Sequence, residues 1–166
     1  MRLWDWARRV YAQPGVATAL LDLQDNHGQS VGLLLWAAWA GQVRPGQLDE
    51  AIAFARVWEV EVLRPLRQVR QSLKAQIASL DDAERLTLRQ SSLDLELVAE
   101  KVLLDGLERI GPATVDGHIA LAMRAAGRSR SAPSPDALIS RLAGQIDFTS
   151  AKPLPMIVDA RSGSQI

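Results

Sequence analysis

The chain has 166 residues, enough for one domain with a single hydrophobic core. Its 19 basic and 19 acidic side chains cancel, which argues against a dedicated nucleic-acid binder, because such proteins normally carry a basic excess. The absence of cysteine excludes disulfides, thiolate nucleophiles and cysteine-ligated metal sites.

The N-terminus does not fit a signal peptide, because charged residues recur from Arg2 to Arg9 and leave no apolar core. The longest apolar run, at 31–40, is about half the roughly 20 residues that a membrane-spanning helix needs. We therefore expect no membrane span and a cytoplasmic protein.

Helical periodicity begins near the N-terminus. Apolar residues at i, i+3, i+4 and i+7 from Leu3 predict a helix over residues 3–12. A second helix is predicted to begin near Pro14, which suits a first helical turn, and to reach His27 before Gly28 ends it as a left-handed cap.

The third helix is predicted at 31–40, with Ser30 as its N-cap. This run is apolar on all sides apart from Gly32, and it contains Trp36 and Trp39. A helix without a polar face must be surrounded by other helices. We therefore predict that it forms the buried centre of a helical bundle.

The fourth helix is predicted to begin at Asp49, with an apolar stripe that continues past Pro65 to Leu80. Proline inside a helix removes a hydrogen bond and kinks the axis. The pattern therefore indicates either one bent helix or two adjoining helices. Asp81 then predicts the start of a long helix that reaches Ile110.

Beyond residue 110 the helical pattern weakens. The predicted division is a helical core domain over 1–127, a Ser/Pro/Arg linker over 128–135, a short helix over 136–146 and a loose, mobile tail over 147–166. The predicted fold is all-α, a single irregular bundle of about six to eight helices around the buried helix at 31–40.

The polar insert from Asp22 to His27 is the first candidate site, since carboxylates with a histidine can bind a metal or exchange protons. A helical wheel places Asp22 and Asp25 together but puts His27 on the opposite, apolar side. The Glu-x-x-His motif of di-metal bundles is absent at both histidines. We interpret the insert as a solvated helix face and predict no metal site.

The second candidate is the pair Glu96 and Glu100, one turn apart on an otherwise apolar part of the long helix. Like charges at this spacing repel, and on an apolar surface they need cationic partners. The fourth helix supplies basic residues without an intervening acid. We predict that Arg64 or Arg67 pairs with Glu96 or Glu100 across the bundle.

The basic run that supplies these partners is a candidate site itself. Arginines at helical spacing could grip a phosphate or an acidic partner through bidentate contacts. A solvated face or internal salt bridges would account for the same pattern. The run consists of Arg64, Arg67, Arg70 and Lys74.

The tryptophans could line a ligand pocket, although tryptophan at helical spacing is more often part of a core. A pocket of this kind would combine an aromatic wall with converging charges. The candidate ligand-binding residues are Asp22, Asp25, Trp36, Arg64 and Arg67.

Several segments resemble a proteobacterial family of small helical proteins of unknown function. The resemblance covers about residues 3–110 and implies a helical domain of bacterial origin, but it assigns no catalytic residue. The segments that carry it are Leu3-Trp4-Asp5-Trp6-Ala7, Pro14-Gly15-Val16, Leu23-Gln24-Asp25 and Arg64-Pro65-Leu66-Arg67.

No catalytic or phosphate-binding motif occurs in the sequence. We therefore favour a non-catalytic protein-interaction or regulatory module, without a cofactor, that presents a helix face to another protein. The alternative is a small-ligand-binding or enzymatic helical domain with a Trp-lined pocket. A concave pocket with converging charges would favour the alternative, and a flat apolar patch would favour the interaction module.

Overall fold

The computed structural model describes residues 1–111 except 42 and 45, together with Ser140 and Gly144. Every regular element in these residues is helical, which confirms the predicted all-α class. The elements are α1 (Leu3–Tyr11), α2 (Val16–Asp25), α3 (Val31–Ala40), α4 (Gln47–Trp58), a π-helical segment (Glu59–Leu63), α5 (Arg64–Ser72) and α6 (Asp82–Ile110).

Helix α3 lies at the centre of the described helices. All of its residues except Gly32 are buried, and Trp36 is 0% exposed. Helices α1, α2, α4 and α6 all pack against it. The Oγ of Ser30 accepts a hydrogen bond from the Leu33 N–H at 3.5 Å, as an N-cap does. The prediction of a buried central helix with Trp36 and Trp39 in the core is confirmed.

Helices α1 and α2 are joined by a tight turn. The Val16 N–H donates to the Gln13 carbonyl at 3.2 Å, and Gly15 has a φ of 78°. This geometry suits a type II turn, in which proline favours the second position and glycine the third. Helix α2 therefore begins at Val16 and not at Pro14, because the proline belongs to the turn.

Helices α4 and α5 form one rod with the π-helical segment between them. Pro65 lies in the first turn of α5. In a continuous α-helix its ring would clash with the carbonyl group of Glu61, four residues earlier. The π-helical segment contains Glu61, so the wider turn falls where that clash would occur. The proline is thus accommodated in one rod without dividing it.

The apolar stripe predicted to reach Leu80 extends beyond this rod, because α5 ends at Ser72. The buried side chain of Arg85, on α6, donates hydrogen bonds to the carbonyls of Leu73 and Lys74. These bonds satisfy acceptors that the end of a helix leaves without intrahelical partners. They also attach the end of α5 to α6.

Helix α6 is the longest described element, with 29 residues. Asp81 caps it, because its Oδ1 accepts hydrogen bonds from the N–H groups of Ala83 at 2.9 Å and Glu84 at 3.1 Å. At the other end, the Gln47 side chain donates to the Ile110 carbonyl. Helix α6 packs against α1, α3, α4 and α5 and thus connects both halves of the structure.

Counting the α4–α5 rod once, the described residues form five helices. The predicted total of six to eight concerns the whole chain and stays a prediction. The predicted linker over 128–135, helix over 136–146 and tail over 147–166 lie outside the described residues, apart from Ser140 and Gly144. No helix in the described part has the length and apolar character needed to cross a bilayer.

Candidate functional site

A cavity of about 840 Å³ lies between α1, α2, α3, α5 and α6. Small-molecule sites in proteins typically have volumes of roughly 300–1,000 Å³. Most of the side chains around the cavity are apolar, and the charged ones come mainly from α5 and α6. The cavity is therefore the candidate site.

One wall of the cavity comes from α1. Trp4, Ala7, Arg8 and Tyr11 line it at spacings of three and four residues, so they share one side of the helix. Leu3 points into the core from the neighbouring side of α1. The helix therefore contributes to the core and to the cavity at the same time.

Another wall of the cavity is formed where α3 meets α6. Gly32 lines the cavity together with Val31 and Leu35. A Cβ atom on Gly32 would lie 2.6 Å from the Cδ2 of Leu103 on α6, which is too close for a normal contact. The missing side chain allows the two helices to approach each other.

Four charged side chains line the cavity where α5 faces α6. Arg67 donates from Nε to Glu96 at 3.1 Å and from Nη2 to Glu100 at 3.5 Å. Arg70 donates to Glu96 from Nε at 2.6 Å and from Nη2 at 3.4 Å. Together with Glu59, these four residues are called the charged cluster.

Glu59 joins the charged cluster by accepting a hydrogen bond from Nη1 of Arg67. The two residues are eight apart in sequence, which corresponds to about 12 Å along an α-helix axis. Helical side chains lean toward the N-terminus, so Arg67 reaches back toward Glu59, and the wider π turn shortens the rod between them. Glutamates thus engage all three guanidinium nitrogens of Arg67.

Burial raises the pKa of Glu100 above its ordinary value, and repulsion from Glu96 and Glu59 adds to this effect against the attraction of Arg67. Burial alone would lower the pKa of Arg67, but the three glutamates outweigh it and the pKa is raised. The pKa of Tyr11 is raised first by burial and then by the charge of Glu100. Tyr11 and Glu100 both line the cavity and lie close enough to influence each other electrostatically.

Four of the candidate residues named from the sequence meet in the charged cluster: Arg67, Arg70, Glu96 and Glu100. Arg64 is exposed and does not line the cavity. The second arginine of the cluster is Arg70, which lies one turn beyond Arg67 on α5.

Asp22, Asp25 and Trp36 do not line the cavity, and Trp36 is buried in the core. Asp22 accepts a hydrogen bond from Asn26 at 2.6 Å, and its Oδ2 lies 3.9 Å from Nε2 of His27. The prediction that His27 lies opposite Asp22 is wrong, because α2 ends at Asp25 and the turn that follows does not keep helical geometry.

Of the tryptophans that the sequence offered as a pocket lining, Trp4 lines the cavity. Sequence reasoning missed the cavity position of Tyr11 and the contact of Glu59. The spacing of Trp4 and Tyr11, seven residues apart on one helix side, is a usable signal. Glu59 has no comparable signal, because its contact with Arg67 runs across a π turn that α-helical periodicity does not indicate.

In the part of the chain that the structure describes, no three His, Asp or Glu side chains are grouped so as to hold a metal ion. The three carboxylates of the charged cluster are engaged with arginine. The site therefore offers a ligand an apolar volume and, at one wall, hydrogen-bonding groups held in place by ion pairs.

A family model described as "Protein of unknown function (DUF2390)" matches residues 2–107, well over half of the chain. The chain belongs to this family. The match confirms the resemblance that the sequence motifs indicate. Every described residue that lines the cavity falls within the DUF2390 region. Comparison with curated proteins and with solved structures gives no match.

Proposed function

We propose that this DUF2390 domain is a binding module that holds a small molecule with an apolar body in the cavity. The observation that carries the proposal is the cavity of about 840 Å³, mainly apolar, with four members of the charged cluster at its wall. Apolar volume with a few fixed polar groups is typical of small-molecule sites. The sequence favours a protein-interaction module, and the cavity moves our preference to the ligand-binding alternative.

The composition of the site supports binding without catalysis. The described residues that line the cavity include no histidine, serine, threonine or lysine. Glu96 is held by two arginines, so it is poorly placed to take a proton from a substrate. The proposal includes a bacterial cytoplasmic setting, which the family resemblance and the absence of cysteine support.

The proposal is tested by thermal melting with a panel of small amphipathic molecules. A ligand at 100 times its dissociation constant stabilises the folded state by roughly 2.7 kcal/mol, enough for a clear shift in Tm. Ala12→Trp places a large side chain at the exposed edge of the cavity. Ala53→Trp, at an exposed position on α4 away from the cavity, is the matched control.

We expect saturable stabilisation of the wild type and of Ala53→Trp, with loss of that stabilisation in Ala12→Trp. A panel that leaves every Tm unchanged would contradict the proposal. So would equal stabilisation of the Ala12→Trp variant, because the ligand would then bind elsewhere.

A second candidate function, the protein-interaction module favoured by the sequence, is supported by the side of α6 that does not line the cavity. Four apolar side chains share this side and are between 43% and 58% exposed. They would suit the apolar strip of a partner helix. These residues are Leu88, Leu95, Val98 and Val102.

A photo-crosslinking residue at Leu95 tests this second candidate in cells, with the same residue at exposed Arg56 on α4 as the control. A protein–protein function requires one dominant crosslinked partner at Leu95 and none of it at Arg56. Equal or absent crosslinking at the two positions would count against an interaction through α6.

A further inference from the structure

The arginines at the cavity wall are already committed to glutamates. Arg67 uses all three guanidinium nitrogens, on Glu59, Glu96 and Glu100. Arg70 uses Nε and Nη2, the paired edge of its guanidinium, on Glu96. A carboxylate or phosphate would need such an edge for bidentate binding and would have to displace a glutamate.

Among the carboxylates of the cluster, by contrast, Glu100 has an oxygen that can still accept a hydrogen bond. Glu100 makes one contact with Arg67, at 3.5 Å through Oε1, and its Oε2 accepts no hydrogen bond from the described residues. Its side chain is 35% exposed, against 7% for Glu96. Glu100 is therefore the carboxylate of the charged cluster that a ligand in the cavity can reach.

The net charge of the cluster favours a positively charged ligand. Two arginines stand against three glutamates, so the cluster carries one negative charge in excess when all five groups are ionised. Arg8 also borders the cavity, but its side chain is exposed and therefore solvated. The pKa of Glu100 is raised mainly by burial, and the charges of Glu96 and Glu59 raise it further against the attraction of Arg67.

We infer that the cavity takes an organic cation, an ammonium group attached to an apolar body, with Glu100 as its counter-ion. The inference rests on the proposed function and names the ligand class of the same cavity. An ammonium group has only donors, which match the free acceptor of Glu100. Trp4 and Tyr11 line the same cavity, and aromatic rings of this kind attract cations.

The inference is tested with three probes that share an octyl chain and differ in the end group: octylamine, 1-octanol and octanoate. Dissociation constants are measured by isothermal titration calorimetry for the wild type, Glu100→Gln and Glu61→Gln. Glu61 is exposed and does not line the cavity, so its variant has the same loss of charge elsewhere. Thermal melting of each variant without a probe verifies folding.

In the wild type we expect octylamine to bind roughly tenfold or more tightly than 1-octanol, and octanoate to bind most weakly, since charge-assisted hydrogen bonds are the stronger ones. Glu100→Gln should remove the preference for octylamine and leave the affinity for 1-octanol unchanged. Glu61→Gln should retain the wild-type order.

Two results would overturn the inference and leave the proposed function in place: octanoate binding at least as tightly as octylamine, or an octylamine preference that persists in Glu100→Gln. Absence of binding by all three probes in the wild type would count against both. The wild-type series alone decides the ligand class, even if a variant fails to fold.

Discussion

The core around α3 is buried and the charged cluster beside α6 is partly buried, and different forces hold the two regions together. The core consists of apolar side chains such as Trp36, Leu20 and Leu33, each 1% exposed or less. Its stabilisation scales with apolar area, at about 25 cal/mol per Å². The charged cluster is held by directional contacts between guanidinium and carboxylate groups.

The comparison indicates that only the first region is there chiefly for stability. Removing arginine and glutamate from water costs free energy that their attraction roughly repays, so a buried ion pair adds little net stability. Once the charges are buried, however, loss of one partner leaves the others uncompensated. The core should therefore respond to lost volume, and the cluster to lost charge balance.

Trp36→Ala should give the largest effect, because it removes the largest fully buried side chain from the core. We expect the free energy of unfolding to fall by about 3–5 kcal/mol, the usual cost of Phe or Trp to Ala in a core. Urea denaturation followed by circular dichroism measures it. Trp36→Phe retains most of the volume and should cost clearly less. Equal losses for Ala and Phe would contradict a volume-dependent core.

Glu96→Gln should give the largest effect within the charged cluster. Glu96 accepts hydrogen bonds from both Arg67 and Arg70, and the variant leaves two partly buried guanidinium groups with weaker partners. We expect a loss of about 2–3 kcal/mol, in the range of a charged hydrogen bond and below that of a fully buried ion pair.

The control for this measurement is Glu61→Gln, at an exposed site in the π-helical segment. Its free energy of unfolding should stay within about 0.5 kcal/mol of the wild type. If Glu96→Gln were as mild as this control, the cluster would be a solvated surface array, and the contrast with the core would disappear.

Trp4→Ala should cost less stability than Trp36→Ala, because Trp4 is only half-buried and faces the cavity. We expect a loss of about 1–2 kcal/mol. Complete burial of a large apolar side chain contributes roughly 1.5–3 kcal/mol, and Trp4 is larger than these side chains but only half-buried. The same urea titration measures it. A loss as large as that of Trp36→Ala would mean that the α1 wall belongs to the core.

The core could be predicted from the sequence because its signals are local. A helix that is apolar on every side is stable only when other helices surround it. Ser30, its N-cap, marks where that helix begins. The turn at Gly15 shows the limit of this reasoning. Proline suits both a first helical turn and a β-turn, and the sequence does not show which of the two forms. The positive φ of Gly15, which only the structure shows, identifies the β-turn.

The cavity could be predicted only in part. The pairing of arginine with Glu96 follows from charge on an apolar surface, and Arg70 belongs to the basic run named from the sequence. Which arginines of that run pair, and the contact of Glu59, follow only from the geometry. The π turn changes which residues of the rod share a side. Pro65 indicates an irregularity there, but the sequence pattern does not show that it takes the form of a π turn. The volume of the cavity depends on how closely Gly32 lets α3 approach α6, which only the packed structure shows.

Glu100→Gln should give the smallest effect on stability, and its dependence on pH is what distinguishes it. Burial raises the folded-state pKa of Glu100 above its ordinary value of 4.5, with Glu96 and Glu59 acting against Arg67, and Tyr11 nearby. Between the two pKa values the folded state binds more protons than the unfolded state, so the contribution of Glu100 to stability falls as pH rises.

Glutamine does not titrate, so the stability of Glu100→Gln relative to the wild type should increase as pH rises from 4.5 through the raised pKa. The difference should stay below about 1 kcal/mol, because the group is partly solvated. Asp105→Asn provides the opposite slope. The hydrogen bond from Lys101, at 2.6 Å, lowers the pKa of Asp105 below 3.8, so its stabilisation is lost as pH falls.

Urea titrations of the three proteins between pH 3 and pH 8 would measure both slopes. Opposite slopes are expected because burial, with repulsion from Glu96, raises the pKa of Glu100, whereas Asp105 lies near the surface between Lys101 and Arg2, which lower its pKa. A Glu100 slope with the sign of Asp105 would mean that Arg67 fully compensates this carboxylate. In that event Glu100 would stabilise the fold as an ordinary ion-pair partner, and only its unpaired oxygen and its exposure would support a cationic ligand.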